Sequence, residues 1–433
     1  MSKVAAIAFH ASPPPGEWYN DPNALLFDGT GFHIFAQHRA DAPAFERNGW
    51  ARISSPDLLH WSDHRGVIPP DKNDAWSGSI VADGPGLEVW HTRHCERMQD
   101  QVMRRSHDTG QSWTQALASL GPARTDWRDP FVFRWCREWR MLLAVPCPWS
   151  ADGTSTRSCI EIYRADASRV DWEKIGQIGP WNDMGVLWEV PLLLPDPMGD
   201  NFWSLIISRV DRRHESAWCD VQRWRGHFDG TQFARLKGDD DEGESVDCGP
   251  DYYAAMANVE EHWPFAERAL VGWASNWQTA RRMPWPGFHG GPIALPRQLT
   301  AVGTAPIPSI IDAFSQSAAA VPKAGLGQAR NLVGPLALRI EGKSDRLLVG
   351  VALDGTLSVE RDGAEWLQWR REFPATMRAQ RTLSLFLDGP LIELHIGPDD
   401  RWITCALPQQ DLPFMVSLRD NGAAVPFDWH SLA

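Results

Sequence analysis

Four short segments of this chain resemble one another, and together they limit what it can fold into. SSPDLLHW ends at Trp61, RSHDTGQSW at Trp113, YRADASRVDW at Trp172 and GHFDGTQF at Phe233. Each follows a run rich in Val, Ile, Phe or Trp, sets an Asp in a turn and closes on a large aromatic residue. Polar turn residues between short apolar runs are strand and hairpin signals. A spacing of about 50 to 60 residues suits one four-stranded sheet per repeat. With a further strand unit ahead of the first copy, the pattern predicts an all-β fold, a five-bladed β-propeller over residues 1–300. After Pro296 the texture turns Pro-, Ala- and Ser-rich, which predicts a linker over 301–322 with a short helix in SIIDAFSQSAAA. Beyond it, RLLVGVALDGTLSVER and LSLFLDGPLIELHIG alternate apolar and polar residues around DG turns. That pattern predicts a C-terminal β-sandwich over 323–433.

The formal net charge of −13 argues against nucleic acid or an anionic membrane surface as partner, since both would repel the chain. No apolar run reaches the roughly 18 residues that a membrane span requires. The seven cysteines are odd in number and scattered, with no CxxC, which suits reduced thiols in a cytosol. The apolar stretch VAAIAF is too brief for a signal-peptide core, and no Asn-x-Ser/Thr sequon occurs. A cytoplasmic protein is therefore expected. Most of the 24 Trp are expected in cores, with a few as platforms for a ligand that has an apolar face, such as a sugar.

Three acidic residues stand in apolar surroundings: Asp21 in WYNDPNALL, Asp129 in TDWRDPFVF and Glu189 in VLWEVPLLLP. All three have Pro adjacent or one residue away, and strongly apolar runs follow them. Burial raises the pKa of a carboxyl group that lacks a partner. Two carboxyl groups facing across a sugar, one ionised and one protonated, are the minimum needed to cleave a glycosidic bond.

WYNDPN, WSGS (76–79), RDP (128–130) and WEVP (188–191) occur together with GWARISSPDLLHW, SHDTGQSW, GPDYYAAMAN, LVGWASNW and ALPRQL. In this order, across residues 9–300, they resemble the fructosidases of glycoside hydrolase family 32: the invertases, inulinases and levanases. The segment LFLDGPLIELHIGPDDRWITC is similar to the family's C-terminal sandwich. The resemblance implies that Asp21 is the nucleophile, Glu189 the acid/base and Asp129 the stabiliser of the transition state. It places Asn20, Gln37, Trp76, Ser77 and Arg128 around the fructosyl unit, with Trp50 and Trp277 as walls of the same pocket. It implies no metal and no cofactor. The family's WEC becomes WEV at Val190, and the Gly after NDPN becomes Ala24; neither change removes a carboxylate.

The implied substrate is sucrose or a short fructo-oligosaccharide, hydrolysed with retention at the fructosyl carbon. Fructosyl transfer to a sugar acceptor would use the same three carboxylates. A related five-bladed family of inverting arabinosidases and xylosidases is disfavoured by NDPN with WSGS, and a sugar-binding propeller without catalysis is disfavoured by the complete carboxylate set. HTRHC (91–95) lacks a fourth ligand at metal-site spacing. The acidic run GDDDEGESVD (238–247) reads as a solvated loop without EF-hand spacing. GFHGGP (287–292) reads as a turn and not a phosphate loop, because no Lys-Ser/Thr follows.

Overall fold

The structure is a computed structural model, and it describes residues 6–432 apart from 41–46, 71, 148–156, 182–184, 212–218, 237–242, 261–262, 319, 375–379 and 409–413. Among the described residues the regular structure is nearly all β-strand, with one α-helix, Pro308–Ala313. Among them, no helix is long and apolar enough to cross a membrane.

Five antiparallel sheets follow one another up to Pro306. Their first strands are Trp18–Phe27, Asp74–Asp83, Arg128–Trp135, Val186–Pro195 and Tyr253–Ala257. These inner strands neighbour one another in a closed circuit: first to second, onward to fifth, and fifth back to first. Flanked on both faces, an inner strand buries every side chain that faces a neighbouring sheet. That is why Trp18–Leu26 reads WYNDPNALL and is buried throughout, its polar residues included. His289–Gly290 adds a short parallel strand beside Trp18–Tyr19. The GFHGGP turn thus closes the circuit near its start, and Gly290 is needed there: φ is 76°, and a Cβ would collide with the Tyr19 carbonyl oxygen.

The four repeated segments fall at one structural position, the turn between third and fourth strands of the first four sheets. Their Asp side chains have one task. Asp57 accepts from the Leu59 and His60 N–H groups, Asp108 from Ser112, Asp166 from Ser168 and Asp229 from Thr231 and Gln232. Each carboxylate therefore ties a turn whose backbone has no ladder partner. The closing aromatic can reach the preceding sheet: Trp113 meets Phe35 edge-on at 6.3 Å, and Trp172 meets Trp90 at 5.8 Å.

The expected linker is more structured than its composition suggests. Thr304–Pro306 pairs with Arg297–Leu299, so the fifth sheet extends past residue 300. The helix opens on Pro308, whose missing N–H is harmless in a first turn, and ends at Ala313 instead of running through the Ala-rich stretch. Gln316–Ala318 then pairs with Asp428–Ser431 near the end of the chain.

Two six-stranded sheets make up the remainder. In the outer one, Leu336–Glu341, Arg346–Val351 and Leu357–Asp362 bury alternate residues, as a sheet with one wet face must. Leu391–Gly397 in the other is buried throughout, because this sheet is a middle layer. Its Leu385, Ile392, Leu394 and Ile403 join the core between the two sheets, whereas Phe386, Leu391 and Trp402 join the core of the preceding five-sheet unit.

The junction between these units is ionic as well as apolar. His10 lies between Asp388 (2.7 Å) and Glu393 (2.8 Å), and Arg297 joins Asp247 (2.7 Å) to Glu393 (2.6 Å), all buried. Arg361 pairs with Asp251, which also accepts from Asn276. Here the expectation of a solvated acidic loop over 238–247 needs correction. Residues 238–242 lie outside the described residues, but Asp247 is buried because the Arg297 guanidinium and the Thr404 hydroxyl solvate it in place of water.

Candidate active site

Every inner strand loses register with its neighbour where two residues come to face one, and the first shifts again between Pro22 and Ala24. Asn20–Asp21 lie opposite Gln37, Trp76–Ser77 opposite Thr92, and Asp129–Pro130 opposite Leu143. Val190–Pro191 lie opposite Ile207 and Ala254–Ala255 opposite Gly272. These are β-bulges, which bend a strand and re-aim its side chains. Asp129 (φ 61°), Val190 (φ 47°) and Ala254 (φ 51°) hold left-handed backbone conformations there. A bulge leaves backbone groups out of the ladder, so it tolerates a residue without an N–H. Pro22, Pro130 and Pro191 stand beside the acidic residues for that reason.

The bulges turn side chains from the first four sheets into one cavity of about 380 Å³. Asp21, Asp129 and Glu189 all line it, with Asn20, Gln37, Trp76, Ser77, Arg128 and Trp277. Of the residues expected from sequence, Trp50 alone does not. It is fully buried beneath the rim, and its indole N–H donates to the Trp76 carbonyl at 3.1 Å, so it supports the bulge that carries Trp76. Asn48, Asp126 and Val210 also line the cavity and were not anticipated.

The three carboxylates are held in different ways. Asp21 accepts from Ser77 Oγ at 2.7 Å and Asn20 Nδ2 at 3.1 Å, with Gln37 Nε2 at 3.4 Å. Asn48 in turn fixes Gln37 by donating to its Oε1 at 2.9 Å. Asp129 accepts the Val190 N–H at 3.0 Å, an N–H freed by the neighbouring bulge, while its own N–H donates to Thr92 Oγ1 at 2.9 Å. Val190, which departs from the family's Cys, thus contributes through its backbone. Glu189 is the most exposed of the three. Its Oε2 accepts from the Tyr253 hydroxyl and its Oε1 lies 3.1 Å from Arg128 Nη2. Tyr253 sits in the GPDYYAAMAN motif, and that motif was the available signal for it.

Among the described residues, Arg128 is the only cation lining the cavity. It reaches Glu189, Asp126 at 2.6 Å and, at 4.0 Å, Asp129. Burial opposes its charge, but Glu189 and the two aspartates outweigh that and raise its pKa. One guanidinium cannot compensate the four acidic side chains that line the cavity. Burial pushes the Asp21 carboxyl up to about 6, against the hydrogen bonds from Ser77 and Asn20, and Glu189 adds to the rise. Burial also raises Asp129; Arg128 opposes the shift and Glu189 reinforces it. Burial raises the Tyr253 phenol too, so it stays protonated and can donate.

The arrangement offers a shielded carboxylate on one strand, a more open carboxyl group on another, and a third locked to backbone between them. It can therefore stabilise positive charge developing on a bound ring while moving a proton at the rim. The two histidines of HTRHC are engaged elsewhere: His91 Nε2 accepts from Arg104, and His94 stacks on Trp76 at 3.9 Å.

Residues 10–306 match the family model for the N-terminal domain of glycosyl hydrolases family 32. Among curated proteins, the chain is 28% identical over 309 residues to a levanase of Bacillus subtilis, covering 66% of this chain and 43% of the levanase. It is 27% identical over 343 residues to the extracellular exo-inulinase of Aspergillus niger, covering 67% of this chain and 61% of that enzyme. The chain thus spans less than two thirds of the length of either relative. Among solved structures, the exo-inulinase of Aspergillus awamori superimposes with a TM-score of 0.79 at 20% identity, over 99% of this chain and 98% of the other. The beta-fructofuranosidase of Bombyx mori superimposes with a TM-score of 0.81 at 21% identity, over 98% and 93%. At these identities the superpositions speak for the shared fold.

Proposed function

This chain belongs to glycoside hydrolase family 32, and from that premise we propose that it is a retaining β-fructofuranosidase acting on sucrose or short fructo-oligosaccharides. The observation that carries the reading is the convergence of Asp21, Asp129 and Glu189 on one cavity from three sheets. In the proposed reaction the fructosyl ring lies between Asp21 and Glu189. Asp21 attacks the anomeric carbon while Glu189 protonates the departing oxygen; Glu189 then takes a proton from water, which releases fructose from Asp21. Such a double displacement places the two carboxyl groups about 5–5.5 Å apart. Asp129, held by the Val190 N–H, binds ring hydroxyls more strongly as charge develops, which is the only kind of binding that lowers the barrier. Arg128 and the Tyr253 hydroxyl orient Glu189.

A cavity of about 380 Å³ is near the lower end of ligand sites, which run from about 300 to 1,000 Å³. That size favours a fructosyl unit with one small leaving group over a long bound fructan. The relatives' names include levanase, inulinase, invertase and raffinose invertase, so linkage is the open variable within the proposal. The five sheets with touching inner strands fit a five-bladed β-propeller that runs past residue 300 to Pro306, and the two six-stranded sheets a sandwich that takes in Gln316–Ala318 from the expected linker over 301–322. A cytosolic location is proposed from the seven free cysteines; quantifying thiols in protein from the native source would check it.

Parallel assay of reducing sugar from sucrose, sucrose 6-phosphate, kestose and levanbiose tests the function, with anomeric NMR of the first product. Fructose released with retention supports it. Bound sugar with no release, or release with inversion, refutes it.

A further inference from the structure

Glu17, Tyr19, His38 and His64 form a second polar cluster on the first sheet, behind the bulge that carries Asp21. Tyr19 and His38 are directly paired between the inner strand Trp18–Phe27 and its neighbour Phe32–Arg39, and His64 reaches them from the outer strand Ser62–Ile68. Glu17 Oε2 is 2.6 Å from His38 Nε2 and 3.1 Å from His64 Nε2, and the three donor atoms lie within 4.8 Å of one another. We propose that Glu17, His38 and His64 form a binding site for a divalent transition-metal ion of the zinc type, tying three strands of this sheet together.

Two imidazole nitrogens and one carboxylate oxygen are a donor set for zinc, cobalt or nickel, not for calcium or magnesium. Ligand atoms around a tetrahedral zinc ion, at about 2.0–2.1 Å from it, lie roughly 3.3 Å apart. The two spacings to Glu17 therefore have to open by less than an ångström. The far nitrogen of His64, Nδ1, bonds the Tyr19 hydroxyl. With its proton on Nδ1 and donated to Tyr19, the ring presents Nε2 to the metal, the arrangement in which an outer partner fixes a ligand's tautomer. The two rings pack edge to face at 4.8 Å, which keeps both turned toward Glu17. Of the three ligands, His38 alone lines a neighbouring cavity of about 310 Å³. Sequence spacing could not show the site, because its ligands lie just ahead of one strand and on two others, in no compact motif.

This inference does not rest on the fructosidase reading, and its test is independent of activity. Full-length protein, stripped with a chelator and desalted, is titrated with zinc chloride by calorimetry. One ion per chain is expected, with saturable binding lost in His38→Gln and His64→Gln and weakened in Glu17→Gln. Cobalt chloride added to the unaltered protein should give the visible absorption of an imidazole-ligated ion of low coordination number, a readout that needs no variant to fold. No saturable uptake, uptake unchanged in all three variants, uptake lost in His91→Ala instead, or a cobalt spectrum like that of the hydrated ion overturns the proposal.

Discussion

Buried carboxylates gather in two regions of this molecule, the cavity and the junction between the units, and they are treated in opposite ways. At the junction, Asp247, Asp251, Asp388 and Glu393 meet His10, Arg297 and Arg361. In the cavity, buried Asp21 and Asp129 and the more exposed Asp126 and Glu189 have Arg128 as the only lining cation among the described residues. Burial alone would raise Glu393, yet Arg297 and His10 hold it down at about 2. Burial would lower His10, but Asp388 and Glu393 lift it to about 9. Asp251 is the exception at the junction, since burial outweighs Arg361 and raises it. Ion pairing makes one region a fastener. A deficit of cations in the other leaves burial to raise Asp21 and Asp129.

Removing a carboxylate from the cavity should produce the largest effect. Asp21→Asn and Glu189→Gln are each expected to lower kcat on sucrose by about 10⁴-fold or more while the protein stays folded, as shown by circular dichroism. Breaking the fastener should instead cost stability. Arg297→Met strands Asp247 without its cation and leaves Glu393 with His10 alone, a loss of about 3–5 kcal/mol measurable by urea unfolding, with kcat of the remaining folded protein little changed. Should Arg297→Met instead abolish turnover in folded protein, the division between the regions fails.

Protonation separates the regions next. The proposed nucleophile must be ionised, so kcat/KM should fall about tenfold per pH unit below about 6, the Asp21 value. At the junction, the folded pKa of His10 lies above its unfolded value. Its stabilisation is therefore complete below about 6.5 and is lost as pH rises toward about 9. Glu393 has the reverse sign: its stabilisation is complete above its unfolded value of about 4.3 and is lost as pH falls toward about 2. Urea midpoints across pH should show both losses. The smallest effect is a gain: Asp21→Asn removes a carboxylate whose raised pKa opposes folding near neutrality, and should stabilise by about 1–3 kcal/mol.

Much of this contrast was legible in the sequence, and the rest was hidden for definite reasons. The Asp-to-aromatic repeats located four inter-strand turns, because turn chemistry is local. The Pro residues beside Asp21, Asp129 and Glu189 marked the site, although bulges explain them and sequence does not show pairing register. Trp50 has the composition of a pocket wall, yet its register opposite Ile68 places it under the rim. Asp247 looked solvated within an acidic run, because its partner Arg297 is 50 residues away. The cluster of Glu17, His38 and His64 was unreadable for the same reason.

The proposed chemistry requires Asp21 and Glu189 to act on one bond from opposite sides. The direct test is mass spectrometry of the Glu189→Gln variant after brief incubation with a fructoside that carries a good leaving group needing no acid. The peptide containing Asp21 should become heavier by one fructosyl residue. A label on Asp129 or on the side chain at position 189, or fructose released with no labelled peptide at any time, would show that Asp21 is not the nucleophile.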